Sequence, residues 1–131
     1  MVTPTKPSFK VQPTVEITYD QVSNLVVCAL EGGSNYWCRF IKKESGSDPA
    51  NAKLSYCECP LQPDGWLLLE DMEEDGKAKR YTLDLPKIKK GLQRMAEKYP
   101  SHWANLVQEN EDANTGDLFL QLCLFGDLVY S

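Results

Sequence analysis

The sequence predicts an α+β fold: a small antiparallel sheet of about four strands, with one helix before it and about three helices after it. Three observations carry this. Near both ends of the chain, apolar residues recur at three-to-four spacing, the pattern of helices with one buried face. The middle holds short aromatic and β-branched runs separated by Pro, Gly and Asp, the composition of strands and turns. The elements also fall in the order helix, strands, helices, without the strand–helix alternation that builds a parallel sheet. The chain has 131 residues, 42% apolar and 25% charged, which suits one domain with a modest core.

Residues 1–14 carry Pro4, Pro7 and Pro13 among polar neighbours and read as a flexible or extended arm, leaving a single domain over 15–131. Thr18 with Gln21 three positions later is a capping box. The helix it opens buries Val22, Leu25, Val26, Ala29 and Leu30, and Gly32 or Gly33 is expected to end it in a left-handed turn. Tyr36 to Ile41 reads as a strand, and Leu54 to Glu58 as a shorter one closed by Pro60. Pro63-Asp64-Gly65 signals a turn into Trp66–Glu70, the clearest strand of the chain. Glu73 to Lys77 reads as a hairpin turn and Arg80 to Leu83 as the returning strand. Asp84 caps the next helix, with Pro86 in its first turn and Leu85, Ile88, Leu92, Met95 and Tyr99 on its apolar face. Ser101 is expected to cap a short helix through Trp103, Leu106 and Val107. Asn114 or Thr115 is expected to cap the last helix, which Gly126 ends. Leu128-Val129-Tyr130 reads as a short closing strand.

Net charge is −5, and its placement matters more than its size. From Tyr99 onward there is no Lys or Arg, while Glu109, Glu111, Asp112, Asp117 and Asp127 are all present; the rest of the chain is balanced. A face of one sign repels nucleic acid and attracts basic protein surface. The same residues would also serve as a solvated surface that keeps the chain soluble. The hairpin tip, with Glu70, Asp71, Glu73, Glu74 and Asp75, offers a second acidic patch. No apolar run long enough to span a membrane is present, and the N-terminus lacks the apolar stretch of a signal peptide. Five cysteines without framework spacing suit reduced thiols, so the expected location is a cytosol.

The motifs mostly exclude. Gly32-Gly33-Ser34-Asn35 follows a helix C-terminus, whereas phosphate cradles precede an N-terminus. Cys57-Glu58-Cys59 and the single His102 do not make a zinc set. Asn110 to Gln121 starts like a calcium loop, but Thr115 stands where glycine is needed and Gln121 where glutamate is needed. No metal site, cofactor or catalytic residue is expected, and no nucleophile, zinc-protease or phosphate-loop motif occurs. Tyr36 and Trp37 are candidates for exposed aromatic anchors of a partner.

Two segments, Ala29-Leu30-Glu31-Gly32-Gly33-Ser34-Asn35-Tyr36-Trp37 and Gln121 to Tyr130, resemble a pattern of small phage and prophage proteins. Those pair an A-L-E-G-G-x-N-Y-W segment with a Q-x-x-x-F-G-[DE]-[LIV]-[VIL]-[YF] ending, and Asp112, Thr115 and Asp117 fit the same pattern. The resemblance runs from about Ile17 to Tyr130 with a variable middle. It implies, through some members, an anti-CRISPR activity against type II effector nucleases, and it brings no catalytic residue. The leading expectation is therefore a non-enzymatic inhibitor in the host bacterial cytosol. It would dock Glu109, Glu111, Asp112, Asp117 and Asp127, with Tyr36 and Trp37, on a basic defence protein such as a CRISPR effector nuclease. Direct nucleic-acid and membrane contact is not expected. Two alternatives stand beside it. One is a binder of a nucleotide defence signal, with Tyr36 and Trp37 stacking on the base. The other is a structural phage protein that packs with copies of itself.

Overall fold

A computed structural model describes residues 6–11, 14–72 and 77–131. Helix α1 (Tyr19–Cys28) opens through the capping box. The Thr18 hydroxyl accepts the Gln21 N–H at 3.2 Å, and the Gln21 side chain accepts the Thr18 N–H at 2.9 Å. The helix does not end on a left-handed glycine. Neither Gly32 nor Gly33 has a positive φ. The backbone instead widens into a π-helical turn over Ala29–Gly33. Glycine is needed there for close approach: a Cβ on Gly33 would lie 1.9 Å from the Ala113 carbonyl oxygen.

Strand β1 (Cys38–Glu44) starts two residues later than Tyr36, because Ser34 to Trp37 form turns. The expected strand at Leu54–Glu58 is absent. The Ser55 carbonyl accepts the N–H groups of both Glu58 and Cys59, and the Ser55 hydroxyl donates to the Glu58 carboxylate. Local bonds of this kind compete with a ladder, and Pro60 has no N–H to offer one. Short 3₁₀ turns at Pro49–Asn51 and Cys59–Leu61 fill this stretch.

β2 (Trp66–Asp71) and β3 (Lys79–Asp84) complete an antiparallel sheet in the order β1-β2-β3. It has three strands among the described residues, not four. A bulge at Ile41 interrupts the β1–β2 register. The expected hairpin turn over residues 73–76 lies outside the described residues. Leu67, Leu69 and Leu83 point inward, while Arg39, Glu70 and Arg80 line up across the outer face. Glu70 is 6% exposed and clamped by Arg39 and Arg80, and Asp71 is 2% exposed. The expected second acidic patch therefore does not include those two carboxylates.

Asp84 caps α2 (Leu85–Lys98), accepting the Lys87 N–H at 3.1 Å. Helix α3 (Pro100–Val107) begins at Pro100 and not after Ser101; proline fits the first position because its missing N–H would be unsatisfied anyway. Helix α4 (Ala113–Phe125) is capped by Asp112, which accepts the Thr115 N–H at 2.9 Å, and it ends at left-handed Gly126. The cap sits two or three residues before the expected Asn114 or Thr115. α4 is the central helix: Leu118, Phe119, Leu120, Leu122 and Cys123 are buried against α1, α2 and the sheet. Small residues allow that approach. A Cβ on Gly116 would meet the Ala29 nitrogen at 2.7 Å, and one on Gly91 would meet the Cys123 sulfur at 2.3 Å. Residues 128–130 form no strand.

Candidate protein interface

The loop after the π turn meets α4 at Asp117. Trp37 Nε1 and the Ser34 hydroxyl donate to Oδ1 at 2.7 and 2.8 Å, and the Tyr36 hydroxyl donates to Oδ2 at 2.8 Å. One carboxylate thus fixes the loop after the π turn. Its position one helical turn inside α4 follows from the Asp112 cap. Asp117 is half-buried and spends its oxygens inside the fold, so it is not a free charge for a partner.

Gln121, fully buried one turn further along α4, does for the C-terminal tail what Asp117 does for the loop. Its Oε1 accepts the Val129 and Tyr130 N–H groups, each at 2.8 Å, and its Nε2 donates to the Tyr130 carbonyl at 3.0 Å. This side-chain amide takes the place of a neighbouring strand, which is why 128–130 stays out of the sheet. Tyr130 then reaches Asp71, donating its hydroxyl at 2.6 Å. Trp37 is enclosed between Phe125 and Tyr130, with both ring centroids 5.3 Å away, and is 0% exposed. It is a core residue, not an anchor and not a shelf for a nucleotide base. Tyr36 points the other way and is 46% exposed. Partial burial, and then the Asp117 carboxylate beside it, raise its phenol to about 12. Met72 and Val129 are also exposed, and the Met72 N–H bonds the Trp37 carbonyl.

The remaining acids do not form one face of five. Asp127 sits at the far end of α4, paired with Lys98 and accepting the Tyr99 hydroxyl, and these bonds hold its carboxyl well below the usual carboxylate range. Glu109, Glu111 and Asp112 gather at the opposite end, before α4 begins. Glu109 and Asp112 are exposed, and half-buried Glu111 accepts from Asn24 of α1 at 2.8 Å. The Thr115 N–H holds the Asp112 carboxyl below its ordinary value. The Asn24 contact joins these residues to α1, where exposed Asp20 and Glu31 lie on the same helical stripe as Asn24. The sequence signal for α1 is an absence: 11–38, like 99–131, has no Lys or Arg. Packing α1 on α4 unites the two cation-free segments.

Glu109 has a second unusual property. It follows α3 with φ 58, the left-handed region. Its N–H bonds the Leu106 carbonyl at 3.1 Å and the Asn110 N–H bonds the Asn105 carbonyl at 2.7 Å. This is the Schellman ending, where glycine is the favoured residue. A glutamate there carries about 1 kcal/mol of backbone strain.

His102 Nδ1 lies 3.0 Å from the Thr115 hydroxyl, and Cys59 contacts Ser45. Among the described residues no group of three His, Cys, Asp or Glu could hold a metal ion, and no helix is long and apolar enough to cross a membrane. The chain matches no protein-family model, no curated protein and no solved structure.

Proposed function

We propose that this protein is a non-enzymatic binding protein, a phage-type inhibitor that sets its acidic α1/α4 face on a basic surface of a bacterial nuclease effector. The observation that carries the reading is the union of the two cation-free segments. It gives a face with Asp20, Glu31, Glu109, Glu111 and Asp112 and no opposing charge from either segment. Such a face speeds encounter with a basic partner and selects against acidic ones. The strained Glu109 supports it, because a left-handed glutamate stands where glycine would be more stable. Tyr36, 46% exposed, supplies an aromatic contact that charge alone lacks.

The test is titration of purified type II effector nucleases with the full chain at low and at high salt. Binding that weakens steeply with salt, and is lost in the combined Glu109→Gln, Glu111→Gln, Asp112→Asn variant, supports the reading. Unchanged binding in that variant would remove the electrostatic mechanism. No binding to any effector would remove the proposed partner class.

A further inference from the structure

The face of the sheet that turns away from Leu67, Leu69 and Leu83 carries a charge pattern of its own. Opposed residues in adjacent strands share a face. The register therefore builds this one in rows: Arg39, Glu70 and Arg80, then Lys42, Leu68 and Thr82, then Glu44, Trp66 and Asp84. Arg39 Nη2 donates to Glu70 Oε1 at 2.7 Å, and Arg80 Nε donates to Oε2 at 3.3 Å. The Glu70 side chain is 8% exposed beneath them, while each arginine side chain is 58% exposed. A guanidinium has five N–H donors, and each arginine uses one on Glu70. Lys42 is exposed, and its ammonium stands 5.9 Å from the centroid of the Trp66 ring. Trp66, Leu68 and Thr82 are half-buried.

We infer that this face binds single-stranded nucleic acid, with phosphates on Arg39, Arg80 and Lys42 and a base against Trp66. Charge complementarity carries the inference. The first two rows hold three cations against the one carboxylate of Glu70, and the arginines cover that carboxylate. Glu70 also fixes the two guanidiniums from both sides of β2, so little side-chain freedom is lost when a phosphate takes their other donors. The arginine row and Trp66 lie about 13 Å apart along β2, within reach of one short extended strand. Every base has a flat face to stack on an aromatic ring, and a cation beside the ring adds to the attraction. A duplex hides its bases and meets only the cations. An acidic peptide would also meet the cations but give Trp66 no role. Glu44 stands in the last row, and Asp84 there is occupied in capping α2, so the cationic end is the one nearest the hairpin. The net charge of −5 hides this end, because the acids of α1 and of the α4 N-terminus belong to other elements. The inference is independent of the acidic face.

The experiment is fluorescence anisotropy of short labelled RNA and DNA single strands titrated with the full chain at low and at physiological salt. The natural sequence should bind, and more weakly as salt rises. The combined Arg39→Gln, Lys42→Gln, Glu70→Gln, Arg80→Gln variant removes the cations without leaving Glu70 buried and unpaired, and it should bind at least about tenfold more weakly. Trp66→Leu should weaken single-strand binding by about tenfold and leave duplex binding unchanged. If the combined variant does not fold, Lys42→Glu tests the same face from an exposed position. The Glu109→Gln, Glu111→Gln, Asp112→Asn variant should bind the oligonucleotides as tightly as the natural chain, which keeps this outcome separate from effector binding. No binding at low salt, binding unchanged in the combined variant, or a duplex or polyglutamate held as tightly as the single strands would each overturn the assignment.

Discussion

Tyr36 and Trp37 are neighbours of similar chemistry with opposite fates. Composition alone says that most aromatics belong in the core and a few outside. It does not say which of two adjacent rings turns inward, because that depends on where the loop is pinned. Packing decides it: both rings bond Asp117, but only Trp37 is enclosed by Phe125 and Tyr130, and Tyr36 stays 46% exposed. Trp37→Ala should cost about 3–5 kcal/mol of stability, as large buried aromatics do; chemical denaturation measures it, and a cost under about 1 kcal/mol, the range of surface changes, would contradict the burial. Tyr36 makes a different prediction. Its phenol is raised from 10.0 to about 12, so the fold favours the protonated form. That contribution is complete below pH 10 and fades as pH rises through about 12. Tyr36→Phe should flatten, without abolishing, the alkaline loss of stability over that window, since Tyr19 and Tyr56 are raised as well. Identical slopes for the two proteins would show that Tyr36 is not coupled to folding.

At the scale of elements, helices were legible where the signal was local. The Thr18–Gln21 box and the Asp84 cap are written in four consecutive residues each, and the structure follows them. Features set by distant tertiary partners were not legible. The π turn packs Gly33 directly against Ala113, eighty residues away in sequence. The missing strand at Leu54–Glu58 reflects local Ser55 bonds, and the missing one at 128–130 reflects a buried glutamine from α4. The α4 cap illustrates the middle case: the polar loop announces a cap, but Asn114 and Thr115 offer the same capping chemistry as Asp112, the residue that makes it. Asp112→Ala should cost about 1 kcal/mol of stability. Asp112→Asn should keep most of the cap but change the acid limb. With its carboxyl held below the ordinary aspartate value of 3.8, Asp112 contributes above pH 4 and loses that contribution as pH falls through its own lower value. Thermal unfolding from neutral pH downward distinguishes the two variants, and parallel curves for Asn and the natural residue would refute the coupling.

For the whole molecule, charge is arranged along α4. Its thirteen residues span about 20 Å. Glu109, Glu111 and Asp112 stand at its N-terminus, while Arg94 and Lys98 reach Gly126 and Asp127 at its C-terminus. Each sign sits where the helix dipole favours it, so the polarity stabilises the fold as well as marking a face. This is why the five C-terminal acids of the sequence could not be read as one surface: a helix separates them. Glu109→Gly separates stability from binding. It should raise stability by about 1 kcal/mol by relieving the left-handed strain, and at the same time weaken salt-sensitive effector binding. A variant that gains stability and binds as before would leave Glu109 without a role at the interface.

The close seat of Cys123 against Gly91 has a practical consequence. Burial pushes that thiol well above its ordinary range, and burial raises Cys38 to about 12. Neither sulfur will react with an alkylating reagent until the chain opens around it. Half-buried Cys28 and Cys57 need much less movement. Timed alkylation read by mass therefore gives a fast phase for local breathing and a slow one for opening of the core around Cys38, Cys59 and Cys123, with no engineered probe.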